Sequence, residues 1–124
     1  MPSLVLHAYV KLVHFDLYLG RQNFGALHAK VHDYPVRSNV AASPSVEQIC
    51  AAVDAACIWY WKEVLCLQRS AATACLLRWY ALPAQMIIGA QQEPFKAHAW
   101  VEIDGRVVND KPYMREIYAV LEKC

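Results

Sequence analysis

The period of the apolar residues changes along the chain from helical to alternating. Leu4 to Leu19 consists mainly of Leu, Val, Tyr and Phe with isolated polar residues, which predicts a helix with a broad apolar face. Gly20 interrupts this pattern, and a second, short helix is predicted from about Phe24 to His32. Tyr34-Pro35 ends it, because a residue that precedes proline avoids the helical conformation.

The next stretch predicts a third helix with two alternative starts. Ser43 could be the N-cap before Pro44, or Ser45 and Gln48 could form a capping box. In either case the alanine-rich pattern carries the helix to about Trp61.

A fourth helix is predicted from Cys66 to about Tyr80, where alanines and leucines are strong helix formers. Pro83 stops this helix. Ala84 to Ala90 is a short apolar run bounded by proline and glycine, which indicates a strand.

The alternating region that follows predicts a hairpin. His98 to Ile103 and Arg106 to Asp110 flank Asp104-Gly105, a strong turn signal. Tyr113 to Lys123 is ambiguous, and we interpret it as a helix. A helical part at about 1–82 therefore precedes a small antiparallel sheet at about 83–112, which is an α+β layout within a single domain, 1–124.

The length of the hairpin loop decides which side chains share a face. A two-residue turn would pair Ala99 with Asp110, and His98 and Asp110 would then lie on opposite faces. A three-residue loop that includes Ile103 instead places His98 across from Asp110, with their Cβ atoms roughly 5 Å apart. The same register pairs Glu102 with Arg106 as opposite charges, so we predict the three-residue loop.

The composition limits the functional classes. The 124 residues carry a net charge of +1 without a Lys/Arg-rich stripe, so we expect no nucleic-acid partner. The five cysteines are an odd number and form no CxxC pair, which argues against a disulfide framework or a zinc ribbon. No signal peptide opens the sequence and its apolar runs are short for a membrane span, so we expect a cytoplasmic protein with reduced thiols and no membrane role.

Three residues suit nucleophilic catalysis. Cys66 begins a predicted helix, where the N–H groups and the helix dipole favour thiolate over thiol. His98 opens a strand between two alanines, and an imidazole is suited to act as general base near neutral pH. Asp110 could orient that imidazole as the third member of a triad, and the alternative is that it merely caps the strand end.

The other cysteines and histidines have simpler interpretations. Cys50, Cys57 and Cys75 lie in apolar helical stretches and are interpreted as small core residues. His28 and His32 are spaced for a metal, but no HExxH pattern or third ligand accompanies them. We therefore expect neither a metal site nor a cofactor.

The region around these residues resembles a known family, the lasso-peptide leader peptidases, which are microcin-processing proteins with a transglutaminase-like core related to papain. The resemblance covers about residues 60–112. It rests on Cys66-Leu67-Gln68-Arg69-Ser70, Ile88-Gly89, His98-Ala99-Trp100-Val101-Glu102, Gly105 and Val108-Asn109-Asp110. One departure is Ala81, because family members often end the cysteine helix with glycine before the proline.

The resemblance implies a Cys-His-Asp triad on Cys66, His98 and Asp110. Arg69 and Ser70 match the motif, and we assign them support of the nucleophile helix rather than chemistry. It also implies a cysteine peptidase that removes the leader from a ribosomally made precursor peptide. Because the chain looks short for a form with a fused recognition domain, we expect a separate leader-recognition protein and proximity to a lasso cyclase. Two alternatives stay open: a transglutaminase-like acyltransferase or deamidase with the same triad, and a non-catalytic scaffold.

Overall fold

The computed structural model describes residues 2–37, 44–92 and 94–124. Four helices are followed by a hairpin, a short helix and a further strand. The elements are α1 (Pro2–Gly20), α2 (Phe24–Asp33), α3 (Val46–Trp59), α4 (Cys66–Trp79), β1 (Ala84–Gln92), β2 (Phe95–Ile103), β3 (Arg106–Val107), α5 (Met114–Ile117) and β4 (Ala119–Lys123). The α+β order expected from the sequence is confirmed.

The first three helices lie where the apolar pattern predicts them. On α1 the buried residues Leu4, Ala8, Leu12 and Phe15 recur at helical spacing and form one face of the core. At the start of α3 the Ser45 hydroxyl accepts from Gln48 N–H, and the Gln48 side chain accepts from Ser45 N–H. The capping box is therefore the correct alternative, and the cap on Ser43 lies outside the described residues.

Helix α4 is enclosed by the other elements, and all of its residues from Ser70 to Arg78 are buried. The helix ends at Trp79, and Ala81, two residues later, has a φ of +67°. The N–H groups of Ala81 and Leu82 then bond the carbonyls of Arg78 and Leu77, the pattern that usually has glycine in the left-handed position. The departure noted in the sequence is thus a left-handed alanine, an unusual conformation for a residue with a Cβ.

Arg78 joins the end of α4 to three other segments through its buried guanidinium. It donates to the carbonyls of Val31 and Tyr34 at the end of α2, to Ala84 at the start of β1, and to Cys124. All four acceptors are backbone oxygens, which satisfy the donors of a side chain that is otherwise costly to bury.

The sheet has the order β3-β2-β1-β4 and is antiparallel throughout. Its last strand corrects the sequence interpretation, which made Tyr113 to Lys123 helical and ended the sheet at about residue 112. Only Met114–Ile117 is helical, and Ala119–Lys123 pairs with the free edge of β1. Pairing of backbone groups along that edge outweighs the helix propensity of the Leu-Glu-Lys run.

The predicted three-residue hairpin loop is also wrong. Ile103 pairs with Arg106, so the loop is Asp104-Gly105, and both residues have positive φ values of 52° and 79°. This two-residue turn matches the right-handed twist of the flanking strands. Strand β3 ends at Val107, shorter than predicted, and the expected pairing of Glu102 with Arg106 is replaced by Glu102 opposite Val107.

The two faces of the sheet belong to different apolar clusters. Ala84, Met86 and Val101 face the helices and join the main core, whereas Ile87 and Trp100 form a smaller cluster with Met114 of α5. His98, two residues before Trp100 on β2, shares the strand face of this smaller cluster. None of the described helices is long and apolar enough to cross a membrane.

Candidate active site

Cys66 is the first residue of α4, as predicted, and it is partly buried. The preceding residue, Leu65, is the N-cap and has no side-chain oxygen with which to cap the helix. The first N–H groups of α4 therefore remain available to an anionic acceptor, and the positive end of the helix dipole lies at the thiol.

His98 and Asp110 lie together. The distance between His98 Nε2 and Asp110 Oδ2 is 2.8 Å, and their side chains are 27% and 17% exposed. Asp110 Oδ1 also accepts from the N–H of Lys111. A carboxylate on Nε2 fixes the tautomer with the proton on that nitrogen, which leaves Nδ1 as a proton acceptor.

The Asp110 carboxylate is held in its ionised form. Partial burial pushes its pKa upwards, but the hydrogen bonds from His98 and from Lys111 N–H, together with the charges of His98 and Arg69, outweigh burial. The net effect is a pKa below the usual value for an aspartate. Such an anion is suited to stabilise an adjacent imidazolium.

The contact between His98 and Asp110 was predicted, but the route by which it forms was not. The two-residue turn would pair Ala99 with Asp110 if the strands continued. Val108 N–H still donates to the Val101 carbonyl, but the Val101 N–H is then taken by the side-chain oxygen of Asn109. The backbone thus leaves the ladder at Asn109, and Asp110 reaches His98 from the edge of β2.

Two side chains of α4 connect the cysteine helix to the segments of this pair. Arg69 donates to the carbonyl of Asn109 at 2.8 Å and forms an ion pair with Asp54 of α3. Ser70 Oγ donates to the carbonyl of Ala99 at 2.9 Å. Both contacts agree with the supporting role expected for Arg69 and Ser70.

Asn109 is a site residue that the sequence reasoning missed. It is buried, its Oδ1 accepts from Val101 N–H at 2.7 Å, and its Nδ2 donates to Ser70 Oγ at 3.3 Å. Its side chain therefore joins β2 to α4 directly before Asp110. The signal available in the sequence was its place in the Val108-Asn109-Asp110 motif, from which no role was inferred for it.

The first turn of α4 approaches β2 without a bond between the thiol and the imidazole. Cys66 lies one helical turn before Ser70 on the same face of α4, and Ser70 is bonded to the residue after His98. Among the described residues no hydrogen bond joins Cys66 to His98. Such contacts in enzymes often form only when substrate binds.

The ring of His98 is flanked by aromatic residues. Its centroid lies 5.4 Å from that of Tyr118, with 18° between the planes, and 6.3 Å from that of Trp100. Gly89 pairs with His98 on β1. A Cβ at Gly89 would lie 2.7 Å from Trp100 and 2.9 Å from Tyr118, so only glycine permits this packing. Tyr118 was missed because its segment was interpreted as a helix.

The charged partner of Glu102 also differs from the one predicted. Glu102 is 1% exposed and accepts two hydrogen bonds from the Arg115 guanidinium, at 2.7 and 2.9 Å, and one from the Trp100 indole. Those hydrogen bonds lower the pKa of Glu102 more than burial raises it. The pair holds α5 against the outer face of the sheet, beside the residues that flank His98.

Burial opposes ionisation of the thiols of Cys50, Cys57, Cys75 and Cys124. Burial raises the pKa of Cys50 and Cys124 to about 11 and that of Cys75 to about 12, and it also raises the pKa of Cys57. His28 and His32 contact the carboxylates of Glu122 and Asp33. These four cysteines are partly or fully buried and these two histidines have carboxylate partners, and none of the six is part of the candidate site.

A family comparison bears on the whole arrangement. Residues 9–123 match the family model described as the Transglutaminase-like superfamily, which is most of the chain. The chain belongs to this superfamily. The helices and the small antiparallel sheet are thus those of a transglutaminase-like domain, as the sequence resemblance implied.

The chain is similar to a curated relative, the Microcin J25-processing protein McjB of Escherichia coli, with 39% identity over 56 residues. The aligned part is 45% of this chain and 27% of the relative, so the chain matches about a quarter of that protein's length. This similarity supports the suspected kinship with lasso-peptide processing proteins. No solved structure matches the chain.

Proposed function

We propose that this protein is a cysteine peptidase that removes the leader from a ribosomally made lasso-peptide precursor, with Cys66 as nucleophile, His98 as general base and Asp110 as orienting acid. The observation that carries the proposal is the 2.8 Å contact between His98 Nε2 and Asp110. This contact leaves His98 Nδ1 free to exchange a proton with a thiol. The start of the cysteine helix is also bonded to the residues beside this pair, because Arg69 donates to Asn109 and Ser70 donates to Ala99.

The proposed acylation step breaks the scissile peptide bond. The Cys66 thiolate attacks the carbonyl carbon and forms a tetrahedral intermediate, whose oxyanion accepts from the Cys66 backbone N–H at the start of α4. Protonated His98 then gives its Nδ1 proton to the leaving amine, and the leader's acyl group remains on sulfur as a thioester. Asp110 stabilises the imidazolium throughout.

Deacylation reverses these roles. His98 Nδ1 takes a proton from a water molecule as that water attacks the thioester carbonyl, and Cys66 leaves as thiolate. The products are the leader with a new carboxylate and the core peptide with a free amine. No cofactor or metal enters either step.

A peptide substrate agrees with the surface next to the proposed nucleophile. The stretch before Cys66 exposes four large apolar side chains, of which Trp59 is 77% and Trp61 is 72% exposed; the other two are Ile58 and Leu65. Tyr60 between them is buried and donates to Asp16, which fixes this stretch to α1. Fixed aromatic side chains bind extended peptides at a low cost in conformational entropy.

The partners belong to the same proposal. We expect a separate leader-recognition protein and a lasso cyclase nearby in the cytoplasm, where the cysteines stay reduced. Helix α1 exposes Leu6, Val10, Val13 and Leu17 at helical spacing, and this row offers an apolar surface for the recognition protein.

A second candidate function follows from membership of the superfamily. In both a transglutaminase-like acyltransferase and a deamidase, the thiolate would attack the amide of a glutamine side chain, which releases ammonia and leaves the acyl group on sulfur as a thioester. An acyltransferase would pass this acyl group to an amine, and a deamidase would pass it to water. A third possibility, a non-catalytic scaffold, would need neither thiol nor imidazole.

Intact mass spectrometry of a precursor peptide separates these functions. The precursor is incubated with the protein and its recognition partner, beside Cys66→Ala and, as a matched control on a buried thiol, Cys75→Ala. A peptidase cleaves one bond, Cys66→Ala abolishes cleavage, and Cys75→Ala retains it. A mass change at one residue without cleavage would support acyl transfer or deamidation, and equal cleavage by Cys66→Ala would reject Cys66 as nucleophile.

A further inference from the structure

The ring of Tyr118 lies nearly parallel to the imidazole of His98, although the two residues are far apart in the sequence. Their centroids are 5.4 Å apart with an interplanar angle of 18°. Parallel aromatic rings at this distance are in favourable stacking contact. Tyr118 therefore limits how far the imidazole can rotate away from its present plane.

Three sets of contacts hold the backbone around Tyr118 in place. Its backbone N–H is the C-terminal cap of α5 and donates to Met114, which is buried. The next residues enter β4, where Ala119 pairs with Ala90 of β1. The neighbouring Arg115 is bonded twice to buried Glu102. The tyrosine is thus presented from a rigid segment.

The absence of a side chain at Gly89 of β1 makes room for Tyr118 beside the sheet. Gly89, the β1 partner of His98, leaves the space in which Tyr118 Cβ and the Trp100 ring approach the strand. The register of β4 shifts between Ile88 and Gly89, at the same point. A bulge re-aims neighbouring side chains, which agrees with a tyrosine directed at His98.

From this packing we infer that Tyr118 is a positioning residue for the proposed general base. Its ring holds the His98 imidazole in the plane that keeps Nε2 on Asp110 and leaves Nδ1 for the Cys66 thiol. The inference rests on the proposed function for its catalytic consequence, whereas the orientation of the imidazole is a property of the folded protein alone.

Substitution of the tyrosine separates ring stacking from the hydroxyl group. Tyr118→Phe keeps the aromatic ring and is expected to retain activity. Tyr118→Leu removes the aromatic ring. We expect Tyr118→Leu to lower kcat about 10- to 100-fold, as for other small misplacements of catalytic groups, with an unchanged KM. Tyr113→Leu, on an exposed tyrosine five residues earlier, is the matched control and retains kcat.

A spectroscopic readout keeps the test independent of catalysis. With ¹⁵N-labelled histidine, the Nε2–H proton bonded to Asp110 is expected as a slowly exchanging resonance in the wild type, Tyr118→Phe and Tyr113→Leu. Tyr118→Leu and Asp110→Asn are expected to lose it. If Tyr118→Leu does not fold, as judged by circular dichroism, Tyr118→Met is measured in its place.

The outcomes are distinct. Loss of the resonance and of kcat in Tyr118→Leu, with rescue by Tyr118→Phe, supports the inference. A wild-type resonance and kcat in Tyr118→Leu, or equal loss in Tyr118→Phe, overturns it. If the wild type cleaves no precursor, the proposed function fails, but the resonance still tests whether Tyr118 orients His98.

Discussion

Arg69, one turn into the helix that begins at Cys66, donates a hydrogen bond of 2.8 Å to the carbonyl of Asn109, the residue before Asp110. The proposed nucleophile and the proposed acid are therefore attached to a common framework even though they come from different layers of the fold. Asn109 is the centre of that framework, since its side chain also bonds Val101 and Ser70.

Asn109→Leu is expected to destabilise the protein by about 1–3 kcal/mol, because it leaves the buried N–H of Val101 without an acceptor. Asn109→Asp keeps that acceptor and is the milder control. Urea unfolding measures both. Equal loss in the two variants would show that the bond to Val101 is not the important contact.

Asp110→Asn is expected to lower kcat by about 10²–10⁴-fold, as in other triads in which the orienting carboxylate is replaced by an amide. KM for the precursor should change little, because the carboxylate acts on the imidazole. Single-turnover cleavage measures the chemical step directly. Wild-type cleavage by this variant would remove Asp110 from the proposed triad.

The stability advantage of the wild type over Asp110→Asn should depend on pH. The pKa of Asp110 is lowered in the folded protein from the usual 3.8, so the folded state favours the charged form. The advantage is therefore complete above pH 3.8 and disappears as the pH falls through the lower, folded value. Unfolding curves between neutral pH and strongly acidic pH test this. An advantage that grows on acidification would contradict the sign.

Ala81→Gly should stabilise the protein by about 1 kcal/mol, because glycine adopts a φ of +67° without steric cost. Ala51→Gly, at an exposed position inside α3, is the control and should cost about 1 kcal/mol. Thermal or urea unfolding of both variants separates the left-handed position from the general effect of glycine.

Arg115→Ala should destabilise the protein by about 1–3 kcal/mol, because the buried carboxylate of Glu102 loses two hydrogen bonds from a half-exposed guanidinium. Arg106→Ala is the control, since Arg106 is the partner that the sequence suggested and lies opposite Ile103 instead. If Arg106→Ala were the more damaging variant in urea unfolding, the three-residue loop would have to be reconsidered.

Much of the fold could be predicted from the sequence, because helix periods, caps and turn residues are local signals. The start of α4 at Cys66 and the place of the hairpin turn at Asp104-Gly105 are examples, although the predicted length of the hairpin loop was wrong. The interpretation of Tyr113 to Lys123 failed because β4 depends on a free edge of β1, a partner distant in sequence.

The candidate site shows the same division. Cys66 and His98 could be predicted as site residues from their residue types and positions in the sequence. The side chains that contact them, such as Tyr118 beside His98, could not be predicted in this way. With continuous strands, only a three-residue loop places His98 opposite Asp110, and the structure forms that contact with a two-residue turn because the backbone leaves the ladder at Asn109. The side chain of Asn109 takes the place of a backbone group in the ladder, which periodicity does not reveal.

The buried guanidinium of Arg78 has a consequence for how the fold opens. It bonds carbonyls in α2, in the segment after α2, in β1 and at Cys124. None of these segments can detach without leaving donors of a buried cation unsatisfied, so partial opening at this end is unfavourable. Amide hydrogen exchange near Val31, Ala84 and Cys124 should therefore share one opening free energy and report a single cooperative unit.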